Sequence, residues 1–382
     1  MIRIGTDVKI ALAIILSLAI ATALQICYMA AIPGDDVQAD YLIDPYFYMH
    51  LGEVISKEAK TEHVSMFAVS ERYQPNPQSR GVVYLTAILY RLLPSWYCLP
   101  AFFGIVYSLL LYMLYRLHLF TPMLLLFPFY TLYLVVFTPS KEAFFLIGFI
   151  LVLVGLLRRN LWALAVLGFL LMLIVRPQGA VFLPVAFFMW YAWRRRITRA
   201  LVLAGCLLLY LVIIRKELFQ IALLEQMYSV LRDTSNSITF CQVGPLSVCV
   251  NSPAKFELII LQRFLTIFLL PCKWLWNAIQ LVFVSYGSEE VFNLYYRLGL
   301  LLHMGLAVAI IAKCRTTAAG SEHVRKIMFL FLVLYMASYT AVIYFQPTRQ
   351  VIVASSCALL AISLTSERRL TGAAGLRSDS MR

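Results

Sequence analysis

The chain has 382 residues, 62% of them hydrophobic and only 13% charged, with a mean hydropathy of +0.82 and a formal charge of +13. Soluble domains carry about 45–50% apolar and about 25% charged residues, so the composition excludes a soluble globular enzyme, a disordered chain and a DNA-binding domain. The basic residues lie scattered between apolar runs rather than in one patch, which points to membrane topology and not to nucleic acid.

The first apolar run is 8–32, flanked by Arg3 and Lys9. It is too long for a signal-peptide core and has no clear small-residue cleavage site, so a membrane helix is predicted. Further runs fall near 96–118, 120–138, 142–157, 161–175, 180–193, 200–214, 294–313, 327–345 and 350–365. Each crossing needs about 20 residues, and the shorter runs suit helices packed inside a bundle. Segment 82–93 is too short to span, and Arg91 near its end suits a helix lying in the interface. Residues 46–58 read as a second interfacial helix, with aromatics of the belt type. The stretch 256–287 reads either as two short spans or as a re-entrant pair broken at Pro271. The expected fold is therefore all-α: a polytopic transmembrane helical bundle of about 10–12 spans, with interfacial helices in the first outer loop. Residues 1–382 form a single membrane domain, with outer loops at 33–81 and 215–257 and a basic cytoplasmic tail at 366–382.

With the N-terminus in the cytoplasm, the cytoplasmic ends carry 17 basic residues against four acids, which accounts for the whole formal charge. Both termini are then cytoplasmic, as the positive-inside rule requires. Of the eight cysteines, most stand alone in apolar runs as small hydrophobes. Cys241 and Cys249 share the second outer loop, where a disulfide can form if that side is oxidising. The scattered histidines give no zinc pattern.

Ionisable groups near hydrocarbon are costly and mark candidate functional sites. The first outer loop holds Asp35, Asp36, Asp40 and Asp44, and Pro45 follows the last of these. Such carboxylates can bind a divalent cation or act as a general base, or they can be a solvated acidic loop. Thr138-Pro139-Ser140-Lys141-Glu142 separates two apolar runs. Ser140 reads as a helix cap and Glu142 as a dipole partner. Lys141 does not fit that explanation, because a cation at a helix N-terminus calls for an anion such as phosphate. Arg176-Pro177-Gln178-Gly179 and Gln346-Pro347-Thr348-Arg349-Gln350 read either as polar turns or as phosphate sites, since Arg can bind phosphate bidentately. Arg80-Gly81 closes the first loop and can join them.

A first span, an acidic outer loop with interfacial helices, and the segment 81–93 followed by a span resemble the polyprenyl-phosphate-dependent glycosyltransferases of the GT-C superfamily. The TPSKE, RP and PTRQ turns resemble those of bacterial membrane proteins of surface-polysaccharide assembly, including GT-C-like transferases and repeat-unit (O-antigen or capsule) polymerases. The resemblance implies an enzyme at the outer face of the bacterial cytoplasmic membrane that uses a polyprenyl-phosphate-linked sugar donor and a glycan or lipid-linked acceptor. It implies an acidic catalytic residue at Asp35 or Asp36, with Asp44 as a further candidate, and donor-phosphate contacts at Lys141, Arg176 and Arg349; Glu142 and Arg80 are further candidates for substrate or phosphate binding. No cofactor is fixed by the resemblance; a divalent cation (Mg or Mn) would sit at Asp35 and Asp36. Two other readings stand beside it: a repeat-unit polymerase centred on Arg176 and Arg349, and a lipid-linked-sugar flippase or transporter. The spans are almost free of charge at mid-depth and show no internal repeat, which disfavours transport.

Overall fold

A computed structural model of the chain describes residues 6–31, 43–73, 79–93, 95–119, 124–125, 139–194, 241–243, 246–248, 301–312, 321–342 and 347–366. Helix α1 spans Thr6–Ala31 and α5 spans Cys98–Arg116. On α1, Ile14, Leu18 and Ala21 are buried, whereas Leu12, Leu16, Ile20 and Leu24 form an exposed row at helical spacing. The buried side meets α5, where Gly104 lets Thr22 approach: a Cβ there would stand 2.4 Å from Thr22 Oγ1. The two helices run antiparallel, and Tyr115 at the end of α5 donates to Asp7 at the start of α1. Both are long and apolar enough to cross a membrane.

Between them, the first loop folds into α2 (Ile43–Thr61), α3 (Met66–Tyr73) and α4 (Arg80–Leu92). Helices are found where they are expected: α2 contains 46–58, and α4 covers 82–92 of the expected 82–93. Helix α2 lies along α4, with Gly52 packed on Thr86 and the Tyr48 hydroxyl 3.3 Å from Ser79 Oγ. The solvated side carries the pairs Lys57–Glu53 at 2.6 Å and Arg72–Glu62 at 2.7 Å. Phe47, Phe67, Tyr73, Leu92 and Tyr97 are exposed.

Helix α6 (Lys141–Leu157) is buried over most of its length and returns through a 3-10 turn, Arg159–Leu161, into α7 (Trp162–Val175). The two cross on glycines. A Cβ on Gly168 would lie 2.4 Å from the Gly148 carbonyl oxygen, and one on Gly155 would lie 2.5 Å from the Ala165 nitrogen. Backbones this close gain dispersion contacts that bulkier residues would prevent. At the far end of α6, Arg158 Nη2 donates to the Leu117 carbonyl at 2.5 Å, tying α6 to the end of α5.

After a single helical turn at Pro177–Ala180 come α8 (Phe182–Arg194), the helical residues Leu301–Ala312 (α9), α10 (Glu322–Val342) and α11 (Pro347–Thr365). Helix α10 packs on α8 and α11, and α11 also packs on α6. Arg325 near the start of α10 reaches the end of α11, donating to Thr365 Oγ1 at 2.7 Å and Ser366 Oγ at 2.9 Å. His303 of α9 shares a 2.6 Å hydrogen bond with Ser355 of α11. Strands Cys241–Val243 and Leu246–Val248 form a small antiparallel ribbon.

The packed elements are therefore helical; of the ten to twelve spans expected, α1 and α5 are long and apolar enough to cross a membrane among the described residues. The runs at 142–157 and 161–175 form helices of 17 and 14 residues. At 1.5 Å per residue, 14 residues reach about 21 Å, short of a roughly 30 Å hydrocarbon core. The spans expected at 200–214 and 256–287, and all of 120–138 but Leu124 and Leu125, lie outside the described residues. Large apolar side chains are nonetheless exposed beyond the two long helices, among them Trp162, Leu167, Phe188, Val308, Ile311 and Phe329.

Candidate functional site

The turn before α6 is built as a helix cap. Ser140 has extended backbone (φ −136°, ψ 158°) and accepts from the Ala143 N–H at 3.0 Å, satisfying one of the first-turn donors that a helix leaves unpaired. Lys141 and Glu142 then occupy the first two helical positions and diverge. Lys141 is half-buried, and its Nζ lies 5.7 Å from the centroid of the Tyr48 ring, a cation–π contact. Glu142 is fully buried and pairs with Arg176 Nη2.

Arg176 sits where α7 ends, with its N–H bonded to the Met172 carbonyl at 2.8 Å. Its own carbonyl accepts from Gly179 and Ala180, which opens the next helical turn behind Pro177. The side chain is buried, and Nη1 donates to the Tyr335 hydroxyl of α10 at 2.8 Å. Gly179 lies against the same ring, since a Cβ there would stand 2.8 Å from Tyr335 Cε2, and Phe145 packs on it at 5.5 Å. Tyr107 of α5 donates to the Ala143 carbonyl at 3.1 Å, and Cys357 of α11 is fully buried. One end of α6 thus gathers residues of α2, α5, α7 and α10.

The first loop reaches this end through α2 and α4. Tyr48 is nearly fully buried beneath Lys141. Gly81 at the start of α4 abuts the end of α7, because a Cβ on it would meet the Ile174 carbonyl oxygen at 2.0 Å. Burial, with the Glu53 carboxylate as the smaller cause, raises the Tyr90 phenol well above its ordinary value, and a hydrogen bond to Glu58 raises that of Tyr73. Both phenols stay protonated at neutral pH.

Of the residues singled out from sequence, Glu142 and Arg176 come together, and Lys141 stands beside Glu142 in the same first turn. Arg80 is the first residue of α4 and is exposed. Asp44 is the second residue of α2, one helical turn before Tyr48, and Arg349 lies in the first turn of α11. Asp35, Asp36 and Asp40 lie outside the described residues. Cys241 faces Val248 across the ribbon, and Cys249 lies outside the described residues, as does the pairing expected between them. Among the described residues no three His, Cys, Asp or Glu side chains converge; Asp35 and Asp36, the residues suggested for a cation, are not among them. Tyr48, Ser79 and Tyr335 belong to the site and were not singled out for it from sequence.

The arrangement offers a half-buried cation at a capped helix N-terminus, beside an amphipathic helix fed by an acidic segment, over a buried ion pair. A cation and a helix N-terminus together attract an anion. No family model, curated protein or solved structure matches the chain.

Proposed function

We propose that the chain is an integral membrane glycosyltransferase. It takes a sugar from a polyprenyl-phosphate donor at the outer face of the bacterial cytoplasmic membrane and passes it to a glycan or lipid-linked acceptor in surface-polysaccharide assembly. The observation that carries the proposal is Lys141, at the capped N-terminus of α6 and over Tyr48, the residue one turn beyond Asp44. This arrangement sets a phosphate-attracting end against α2, the helix that follows the loop carboxylates in sequence.

The membrane placement has separate support. The exposed apolar rows of α1, α5, α8 and α10 suit lipid rather than water. Helix ends expected on a common side also meet: Asp7 with Tyr115, Leu117 with Arg158, and Arg325 with Thr365 on the cytoplasmic side, and Glu142 with Arg176 on the outer side.

In this mechanism, Asp35 or Asp36 takes the proton of an acceptor hydroxyl, whose oxygen bonds the anomeric carbon as the bond from that carbon to the donor phosphate oxygen breaks. The charge growing on the leaving phosphate is met by Lys141 and the α6 N-terminus. The test uses membranes carrying the full chain, a panel of radiolabelled polyprenyl-phosphate sugars and a glycan acceptor. Wild type is expected to transfer label, and Lys141→Gln to lose about 10²-fold or more at equal abundance, the scale of losing one transition-state donor. Lack of transfer by wild type from the whole panel, or full transfer by Lys141→Gln, would overturn the proposal.

A further inference from the structure

We propose that Glu142 and Arg176 are a positioning pair, which sets the end of α6 and with it Lys141, and that neither side chain is a ligand of the donor phosphate. The proposal rests on the reading of Lys141 given above. It departs from the sequence expectation that Arg176 grips phosphate.

Three observations carry it. First, the pair is inside the protein: Glu142 is 0% and Arg176 7% exposed, and the guanidinium already faces the carboxylate through Nη2. Second, the second arm of the fork, Nη1, is directed at the Tyr335 hydroxyl at 2.8 Å, so the guanidinium joins α6, the α7 terminus and α10. Third, the surroundings are shaped for this connection. Gly179 leaves room for the Tyr335 ring, and Arg176 takes part in the backbone bonds that close α7 and open the following turn. Glu142 follows Lys141 directly, so the ion pair anchors the same first turn that presents the lysine.

A buried ion pair behaves distinctively in mutation. Removing one partner strands a charge in a low-dielectric site and is strongly destabilising, whereas neutralising both partners is often tolerated. A phosphate ligand behaves otherwise, because no change in its protein partner restores the lost contact.

The test is a double-mutant cycle on the full chain in detergent, with thermal melting and donor-sugar transfer read in parallel. Glu142→Gln and Arg176→Gln are each expected to melt roughly 5 °C or more below wild type and to lose transfer. The double variant, whose amides can bond each other and Tyr335, is expected to regain most of the melting temperature. It is also expected to regain transfer with a donor KM within about twofold of wild type. A double variant that melts like wild type but transfers nothing, or does so with a much higher donor KM, would make Arg176 a donor ligand and overturn the proposal. Single variants that melt like wild type would overturn it too. Lys141→Gln is the separating control. It should melt like wild type and lose transfer; if it keeps transfer, the reading of the site fails while the melting arm still decides the pair.

Discussion

At the scale of single residues, the chemistry concentrates in side chains that are expensive where they stand. Glu142 and Arg176 are legible in the sequence because charges are rare in a chain this apolar, and Ser140 because a serine before an apolar run is an N-cap signal. Their pairing was not legible, since nothing in the spacing of 142 and 176 says that one neutralises the other. Tyr335 was hidden more completely, because a tyrosine in an apolar run reads as an interfacial aromatic. The carboxylates of the first loop can be tested directly. Asp35→Asn or Asp36→Asn, whichever is the base, should reduce turnover by about 10²-fold or more while sparing donor-lipid binding, because Asn keeps the shape and loses the basicity. Asp40→Asn should be milder. Turnover of all four single variants, including Asp44→Asn, compared with retention of labelled donor, is the measurement. Four fully active variants would shift the chemistry away from the loop, as a repeat-unit polymerase would require.

At the scale of elements, helix type and boundaries followed from apolar runs and their polar stops. The runs at 142–157 and 161–175 became α6 and α7 almost residue for residue, because Ser140, Arg158 and Arg176 punctuate them. Helix α10 instead starts at Glu322, five residues before its apolar run, where Lys326 one turn on pairs with Glu322 at 2.6 Å and supports a polar first turn. The close crossing of α6 and α7 depends on Gly148 and Gly168, which in sequence look like two more glycines in apolar helices. Gly168→Val should force the helices apart and destabilise the protein by about 1–3 kcal/mol or more, as overpacking does. Ser140→Ala should cost about 1 kcal/mol through the lost cap. Melting of the purified variants checks both, and a Gly168→Val protein as stable as wild type would mean the crossing is not close.

At the scale of the whole molecule, the helical class was legible from composition; of the spans expected, α1 and α5 are the helices of membrane length among the described residues. Burial inside a helical assembly and exposure to lipid both select apolar residues, so hydropathy cannot separate a short internal helix from a full crossing. Orientation can be measured. Reporter fusions after residues 60 and 235 should read as outside, and fusions after 197 and 320 as inside; an inside reading after 60 would reverse the side on which the candidate site lies. The hairpin of α6 and α7 also bears on how such a chain is made. In the proposed topology, its end carrying Glu142 and Arg176 passes through hydrocarbon during insertion, where each bare charge costs about 2.5–3.5 kcal/mol on insertion scales. On that topology, a turn as tight as Arg158–Leu161 would let the two ends pair first and enter as a dipole rather than as two ions. Delivery of α6 is then tied to delivery of α7, and synthesis of the second helix becomes the event that seats the first.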